Sequence, residues 1–297
     1  MIDFLKYRWL SAIFSVAMVA AGVGFYFYNI NHYGSAFNYS VEFTGGTQFI
    51  LKFNNPVSAD TLKEIIAKAG WPGASIRQFS DNKDEMIIRV KEFSNDAKGL
   101  SEKIGGVIQE ALGKENSVSI LQSEGVGAGV GAELRWQSIR AVLMALLLLL
   151  LYIAIRFWSL GFALGAVVAL FHDALAMLLV LMIFYREISP YVIVAILAVL
   201  GYSINDTIVI FSQIRTNLRK MRGASLYAIV NETLNYTLRR TILTSLSTAL
   251  TVGSLLIFGG EALRDTSLTL LVGVIFGTYS SIYIASPIMM LLYKEEK

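Results

Sequence analysis

The stretch Ala141-Val-Leu-Met-Ala-Leu-Leu-Leu-Leu-Leu-Leu-Tyr-Ile-Ala-Ile155 contains no charged side chain. A helix that crosses a bilayer core needs about 20 mostly apolar residues, and Trp136–Arg140 extends this run through the interface. Five more stretches read the same way. Leu10–Ile30, Thr241–Gly260 and Thr266–Tyr293 carry no charge, Phe157–Tyr185 holds only His172 and Asp173, and Ile188–Ile214 holds only Asp206. The chain is therefore read as an all-α bundle of six membrane-spanning helices. Its composition agrees: 55% of the 297 residues are hydrophobic and 16% are charged, against about 25% charged in soluble domains. The apolar run of the first span exceeds the ~7–15 residues of a signal-peptide core, so it is read as a retained anchor.

Lys and Arg in short loops set orientation. Lys6 and Arg8, Arg156, the run Arg215, Arg219, Lys220, Arg222, Arg239 and Arg240, and Lys294 and Lys297 all fall on one side if the spans alternate. The opposite short loops hold Arg186 and Arg264, each beside an acid (Glu187, Asp265). Both termini are expected to be cytoplasmic. The expected organisation is 1–30 as N-terminus and first span, 31–135 as an outside domain with a glycine-rich connector, and 136–297 as five spans with a basic cytoplasmic loop over 215–240.

Within the long segment, Thr47–Phe53 alternates with Phe49, Leu51 and Phe53 on one face. Ser58–Ala69 is an amphipathic helix, with Ser58 suited to its N-cap and Gly70 to its stop. Ser75–Ser80 and Glu85–Lys91 read as strands joined by the turn-rich Asp81–Asp84. Ala97–Leu112 is a second helix closed by Gly113, and Ser117–Gln122 is a last strand. The order is β-α-β-β-α-β, so an α+β domain of the ferredoxin-like pattern is expected. Over Glu124–Glu133 glycine alternates at 125, 127, 129 and 131, which reads equally as a hinge or a plain connector.

The chemistry sits elsewhere. An ionisable group at membrane depth costs about 2.5–3.5 kcal/mol on insertion scales and marks function by default. Asp173 lies mid-span beside His172. Asp206 lies in Gly201-Tyr-Ser-Ile-Asn-Asp-Thr207, about two helical turns before Arg215. In the fifth span Arg240, Thr244, Ser247, Thr251 and Ser254 recur at helical spacing and share one face, expected to point to the bundle or a wet cavity. Asp206 and Arg240 are the proton-relay candidates: as a pair, they would loosen when a proton reaches the carboxylate. Ser203, Asn205, Thr244, Ser247, Thr251, His172 and Asp173 form the supporting polar network. The plainer readings are an Arg240 that snorkels to the interface, an Asp206 that only ties helices together, and a His172–Asp173 pair that packs or caps. In the sixth span Thr269, Gly273, Gly277 and Ser281 form a small-residue packing stripe.

A net charge of +3 without a basic face argues against nucleic acid. With no cysteine, disulfides, thiolate metal sites and cysteine nucleophiles are excluded. No P-loop, HExxH or GxSxG motif occurs. The chain is not expected to be an enzyme or to carry a metal or cofactor, and energy would come from an ion gradient or a partner.

Val41-Glu-Phe-Thr-Gly-Gly-Thr47, Val130-Gly-Ala-Glu-Leu134, Ala169-Leu-Phe-His-Asp173, Gly201-Tyr-Ser-Ile-Asn-Asp-Thr207, Thr237-Leu-Arg-Arg-Thr241 and Gly273-Val-Ile-Phe-Gly-Thr278 together resemble the signatures of the SecF family of protein-export membrane proteins, within the resistance-nodulation-division superfamily. Glu42 stands where that family often has Asp. The resemblance covers nearly the whole chain. It implies a bacterial inner-membrane subunit that pairs with SecD, associates with the SecYEG channel and uses the proton-motive force to promote late translocation of preproteins. It also implies that the outside domain is periplasmic and that Asp206 and Arg240 serve proton conduction. The rival readings are a half-unit of another proton-driven transporter of the superfamily, for small molecules or lipids, and a non-transporting assembly scaffold.

Overall fold

The structure, a computed structural model, describes residues 1–78, 84–113 and 116–293. The chain divides into two compact units, 1–38 with 139–297, and 39–138.

In the larger unit six helical spans are long and apolar enough to cross a membrane, at the positions read from the sequence. They are α1 (Arg8–Tyr33), α5 (Ala128–Phe157), α6 (Leu160–Ile183), α7 (Pro190–Lys220), α8 (Leu226–Phe258), and α9 (Glu261–Ser280) continued through a π-helical turn, Ser281–Ala285, into α10 (Ser286–Leu292). Lys294 and Lys297 lie outside the described residues. Burial divides the spans into two sets. In α6, α7 and α9–α10, 50–61% of the apolar window is buried, against 6–11% in α1, α5 and α8. The first set is the core of the unit and the second its outer wall.

Small residues make that core possible, because lipid tails give helices no hydrophobic reason to associate and close van der Waals contact must do so. A Cβ on Gly273 would strike Val199 and come within 2.8 Å of the Met177 sulfur. On Gly277 it would lie 2.9 Å from Ser203 Cβ, and on Gly165 2.7 Å from the Ala285 carbonyl. The glycine stripe of the sixth span is thus a packing seam against α6 and α7. The π-helical turn has a local cause. Pro287 has no N–H and its ring crowds the carbonyl four residues back, which belongs to Tyr283. That carbonyl instead accepts from Ser11 Oγ of α1 at 3.3 Å. At the same end the N-terminal residues are held by two amides of α8: Asn235 Oδ1 accepts from Ile2 N at 2.8 Å and Asn231 Oδ1 from Phe4 N at 2.9 Å.

The smaller unit contains α2 (Val41–Thr44), β1 (Gly46–Phe53), α3 (Ala59–Lys68), β2 (Ser75–Gln78), β3 (Glu85–Val90), α4 (Ala97–Leu112) and β4 (Val118–Val126). The four strands form one antiparallel sheet in the order β2-β3-β1-β4. The strand expected over 75–80 is described to Gln78; 79–83, with most of the expected turn, lie outside the described residues. Ser58 caps α3 by accepting from Thr61 N at 3.1 Å. Phe49, Leu51, Phe53, Leu62, Ile66, Ile88, Ile104 and Ile108 form a core with essentially no exposure. The glycine-alternating stretch is occupied by the end of β4 and the start of α5. Its glycines meet backbone there: a Cβ on Gly131 would lie 3.0 Å from Gly45 N, and one on Gly45 2.5 Å from Ala128 Cα. Gly45 also has φ +75°, a conformation L side chains rarely adopt.

Two outcomes are expected. Gly273→Leu should destabilise the detergent-solubilised chain by about 1–3 kcal/mol or more through overpacking. Gly24→Leu, whose Cβ meets nothing within 4 Å, should leave the thermal midpoint unchanged. Ile108→Ala should cost about 2–5 kcal/mol, measured as lost hydrogen-exchange protection across the sheet; Leu121→Ala, on an exposed side chain, should not.

Candidate functional site in the helical bundle

The polar groups of the bundle collect at two adjacent nodes where α6, α7, α8 and α9 meet. The first is Asp173, fully buried on α6. Its Oδ2 accepts from Ser203 Oγ of α7 at 2.6 Å and from Ser280 Oγ of α9 at 2.9 Å. Hydrogen bonds to a carboxylate are among the stronger ones, and these tie the three core helices at one level. Asp173 Oδ1 faces His172 Nδ1 at 3.6 Å. The imidazole is itself buried, between the rings of Phe276 and Tyr279 at centroid distances of 6.0 and 5.8 Å. One turn along α7, Thr207 Oγ1 and Ser281 Oγ share a hydrogen bond of 2.9 Å at the first residue of the π-helical turn.

The second node is Asp206, 5% exposed on α7. Ser245 Oγ of α8 donates to its Oδ2 at 3.4 Å, and Thr278 Oγ1 of α9 donates to Ser245 Oγ at 2.6 Å. Asp206 and Arg240 do not pair directly. The Ser245 hydroxyl occupies the hydrogen-bonding position on the carboxylate. Arg240 sits one turn before Thr244 at the edge of a cavity of about 930 Å³, with Ser212, Gln213, Thr216 and Thr237 among its lining residues.

Of the residues expected at the site, Asp173 lies together with His172 and Ser203, whereas Asp206 is bonded to Ser245 and Arg240 lines the neighbouring cavity. The stripe, expected to face the bundle or a wet cavity, does so only in part. Arg240 and Thr244 line the cavity, but Ser247, Thr251 and Ser254 are exposed on this chain. Each hydroxyl of the stripe donates to a carbonyl of its own helix; Ser247 reaches Thr244 O at 2.9 Å and Thr251 reaches Ser247 O at 3.0 Å. The face of α8 turned inward is instead Thr237, Thr241 and Ser245, spaced by four. Asn205 is exposed, about 100° around α7 from its buried neighbour Asp206. Thr207, Ser245, Thr278 and Ser280 were not singled out from sequence. The signal for Ser280 and Thr278 was available, because they extend the Gly273–Ser281 stripe by hydroxyls in an uncharged span. Ser245 lay on a second polar row of α8 that only packing distinguishes from the first.

Comparison with known proteins gives this geometry a family. A model described as "Protein export membrane protein SecD/SecF, C-terminal" matches residues 107–295, and the "SecD/SecF GG Motif" matches 35–57, around the Gly45-Gly46 pair that packs on Ala128 and Gly131. The chain is 36% identical to the protein translocase subunit SecF of Thermodesulfovibrio yellowstonii, over 99% of this chain and 95% of that one. It is 37% identical to SecF of Escherichia coli O157:H7, covering 86% of this chain and 79% of the relative. Among solved structures it is similar to SecDF, a translocon-associated membrane protein from Thermus thermophilus, with TM-score 0.85 and 33% identity. That likeness covers 98% of this chain and 38% of the longer SecDF chain. Six spanning-length helices and these relatives make the chain a multi-pass membrane protein. On the family model and the near full-length relatives together, the chain belongs to the SecD/SecF family of protein-export membrane proteins.

Proposed function

We propose that the chain is a non-enzymatic, accessory subunit of the Sec protein translocase that couples proton entry at Asp206 to late-stage preprotein translocation. SecD is its partner, SecYEG the channel it serves, and the preprotein the substrate. The observation that carries this reading is Asp206: a carboxylate buried inside a spanning helix, with a single hydroxyl donor at 3.4 Å among the described residues and with Arg240 of α8 lining a cavity beside α7. A structural aspartate in the bundle would be expected to look like Asp173, tied by two short bonds. The loosely held Asp206 can change charge without dismantling the helix packing. When it is ionised, Arg240 is drawn toward it; when it is protonated, that attraction ends and α8 is free to shift against α7.

The remaining parts follow the same reading. The order of Lys and Arg along the chain supports a cytoplasmic location for both termini and for the basic 215–240 segment, which is helical except around residues 221–225, and a periplasmic one for the 39–138 unit. The strand order β2-β3-β1-β4 supports a ferredoxin-like domain there, placed to bear on an emerging preprotein. One elementary charge crossing 100 mV releases about 2.3 kcal/mol, so a few protons per cycle suffice for a domain movement. Partnership with SecD is supported by the SecDF relative, in which the match to this chain occupies 37% of a longer polypeptide.

In membrane vesicles carrying the assembled complex, Asp206→Asn should abolish the stimulation of late translocation by a proton gradient, a loss of tenfold or more, while co-purification with SecD is unchanged. Arg240→Met should act in the same direction. Gradient-dependent translocation at the wild-type rate in an assembled Asp206→Asn complex overturns the mechanism. Wild-type activity of a stably assembled Arg240→Met variant favours a scaffold. Ser245→Ala, which removes only the hydroxyl donor, should reduce the stimulation a few-fold and not eliminate it.

A further inference from the structure

We propose that a basic cavity at the shared end of α5 and α7 binds the phosphodiester of an anionic phospholipid. The cavity has a volume of about 440 Å³ and is lined by Arg156, Arg215, Arg219 and Lys220, together with Ser212 and Thr216. That volume falls in the range of about 300–1,000 Å³ typical of small-molecule sites. The inference stands apart from the proton-coupled reading above: its cations are not among the residues of that reading, although Ser212 and Thr216 line both cavities.

The charge balance favours an anion. Four cationic side chains converge, and among the described residues no carboxylate lines the cavity. Between Asp206 and Glu232 the sequence contains no Asp or Glu, and between Glu133 and Asp173 it contains none either. The protein's own compensation is partial. α5 and α7 both end here, and their C-termini contribute roughly half a negative charge each. Arg215 Nη1 donates to the Arg156 carbonyl at 3.4 Å, at the end of α5. Among the described residues, this leaves about three of the four positive charges uncompensated.

The position identifies which anion. Beneath the cations, Phe157, Phe162 and Phe211 pack at centroid distances of 5.0–6.0 Å and seal the site from the bundle interior. Beside them Trp158 and Leu160 are 79% and 77% exposed on the outer surface, at the junction of α5 and α6. Trp is enriched at the level of the headgroups. The cavity thus meets the headgroup layer with its cations and offers apolar surface to the acyl chains. A free phosphate would use the charges alone; a phospholipid uses both. Basic cavities between helices at a membrane face are a recurring mode of anionic headgroup recognition.

The test is lipid binding by the purified full-length chain in neutral detergent, read by native mass spectrometry. Phosphatidylglycerol, phosphatidylcholine and inorganic phosphate serve as separate probes. The wild type is expected to bind phosphatidylglycerol at least tenfold more tightly than phosphatidylcholine. Arg219→Gln/Lys220→Gln alters two exposed side chains and should weaken phosphatidylglycerol about thirty-fold without changing phosphatidylcholine. Arg140→Gln, toward the other end of α5, should change neither. Equal binding of the two lipids overturns the proposal, as does selectivity that survives the double substitution. Displacement of phosphatidylglycerol by millimolar phosphate means a free-anion site and overturns the assignment to lipid.

Discussion

Inside a bilayer no water is present to satisfy a polar group, so a hydroxyl, amide or carboxylate at membrane depth gains most from a partner within protein. The arrangement of this bundle follows from that constraint, and Asp173 is where it acts most strongly. Its carboxylate collects the hydroxyls of Ser203 and Ser280, so α6, α7 and α9 meet at one level. The glycines at 273 and 277 let the backbones approach closely enough for those short side chains to reach. Interhelical hydrogen bonds in membranes contribute about 0.6–2 kcal/mol each. Bonds of that size hold the core together only in combination with the packing around Gly273.

Asp206 differs from Asp173 in how much holds it. The two carboxylates sit close together along the same helix contacts. One has two short hydrogen bonds and the other a single long one. In the proposed cycle the first keeps the core helices in register while the second changes charge. Arg240 has its own place in this scheme at the rim of a cavity beside α7. The exposed hydroxyls of Ser247 and Thr251 satisfy themselves on their own helix, so that face of α8 tolerates either lipid or a partner helix. The low burial of α1, α5 and α8 accords with a chain matched to about two-fifths of the longer SecDF polypeptide.

Much of the fold was legible in the sequence because the governing periodicities are strong. Long uncharged runs mark spans, and the alternation of Phe49, Leu51 and Phe53 marks a buried strand face. The bilayer requirement and the pleat leave few alternatives to either. The site was legible in its charged members, since Asp173, Asp206 and Arg240 are conspicuous in apolar surroundings. It was less legible in its hydroxyls. Serine and threonine at helical spacing serve their own backbone and a neighbouring helix equally well, and α8 carries two such rows. Which row turns inward depends on rotation of the helix about its axis, set by packing against α7 and α9. The π-helical turn required knowing that the carbonyl Pro287 displaces would find Ser11 on a helix some 270 positions earlier. The glycine-rich stretch looked like a connector because glycine permits bends. Its glycines at 125 and 131 are there because backbone passes within about 3 Å of where a Cβ would stand.

The central claim is that Asp206 itself takes up and releases the proton. Infrared difference spectroscopy of the reconstituted complex, stepped across the pH range of gradient-driven translocation, tests it most directly. The account predicts a protonated-carboxyl stretching band that grows on acidification, shifts on deuteration and is missing from the Asp206→Asn complex. A difference spectrum with no carboxyl band that depends on Asp206 over that range would contradict it.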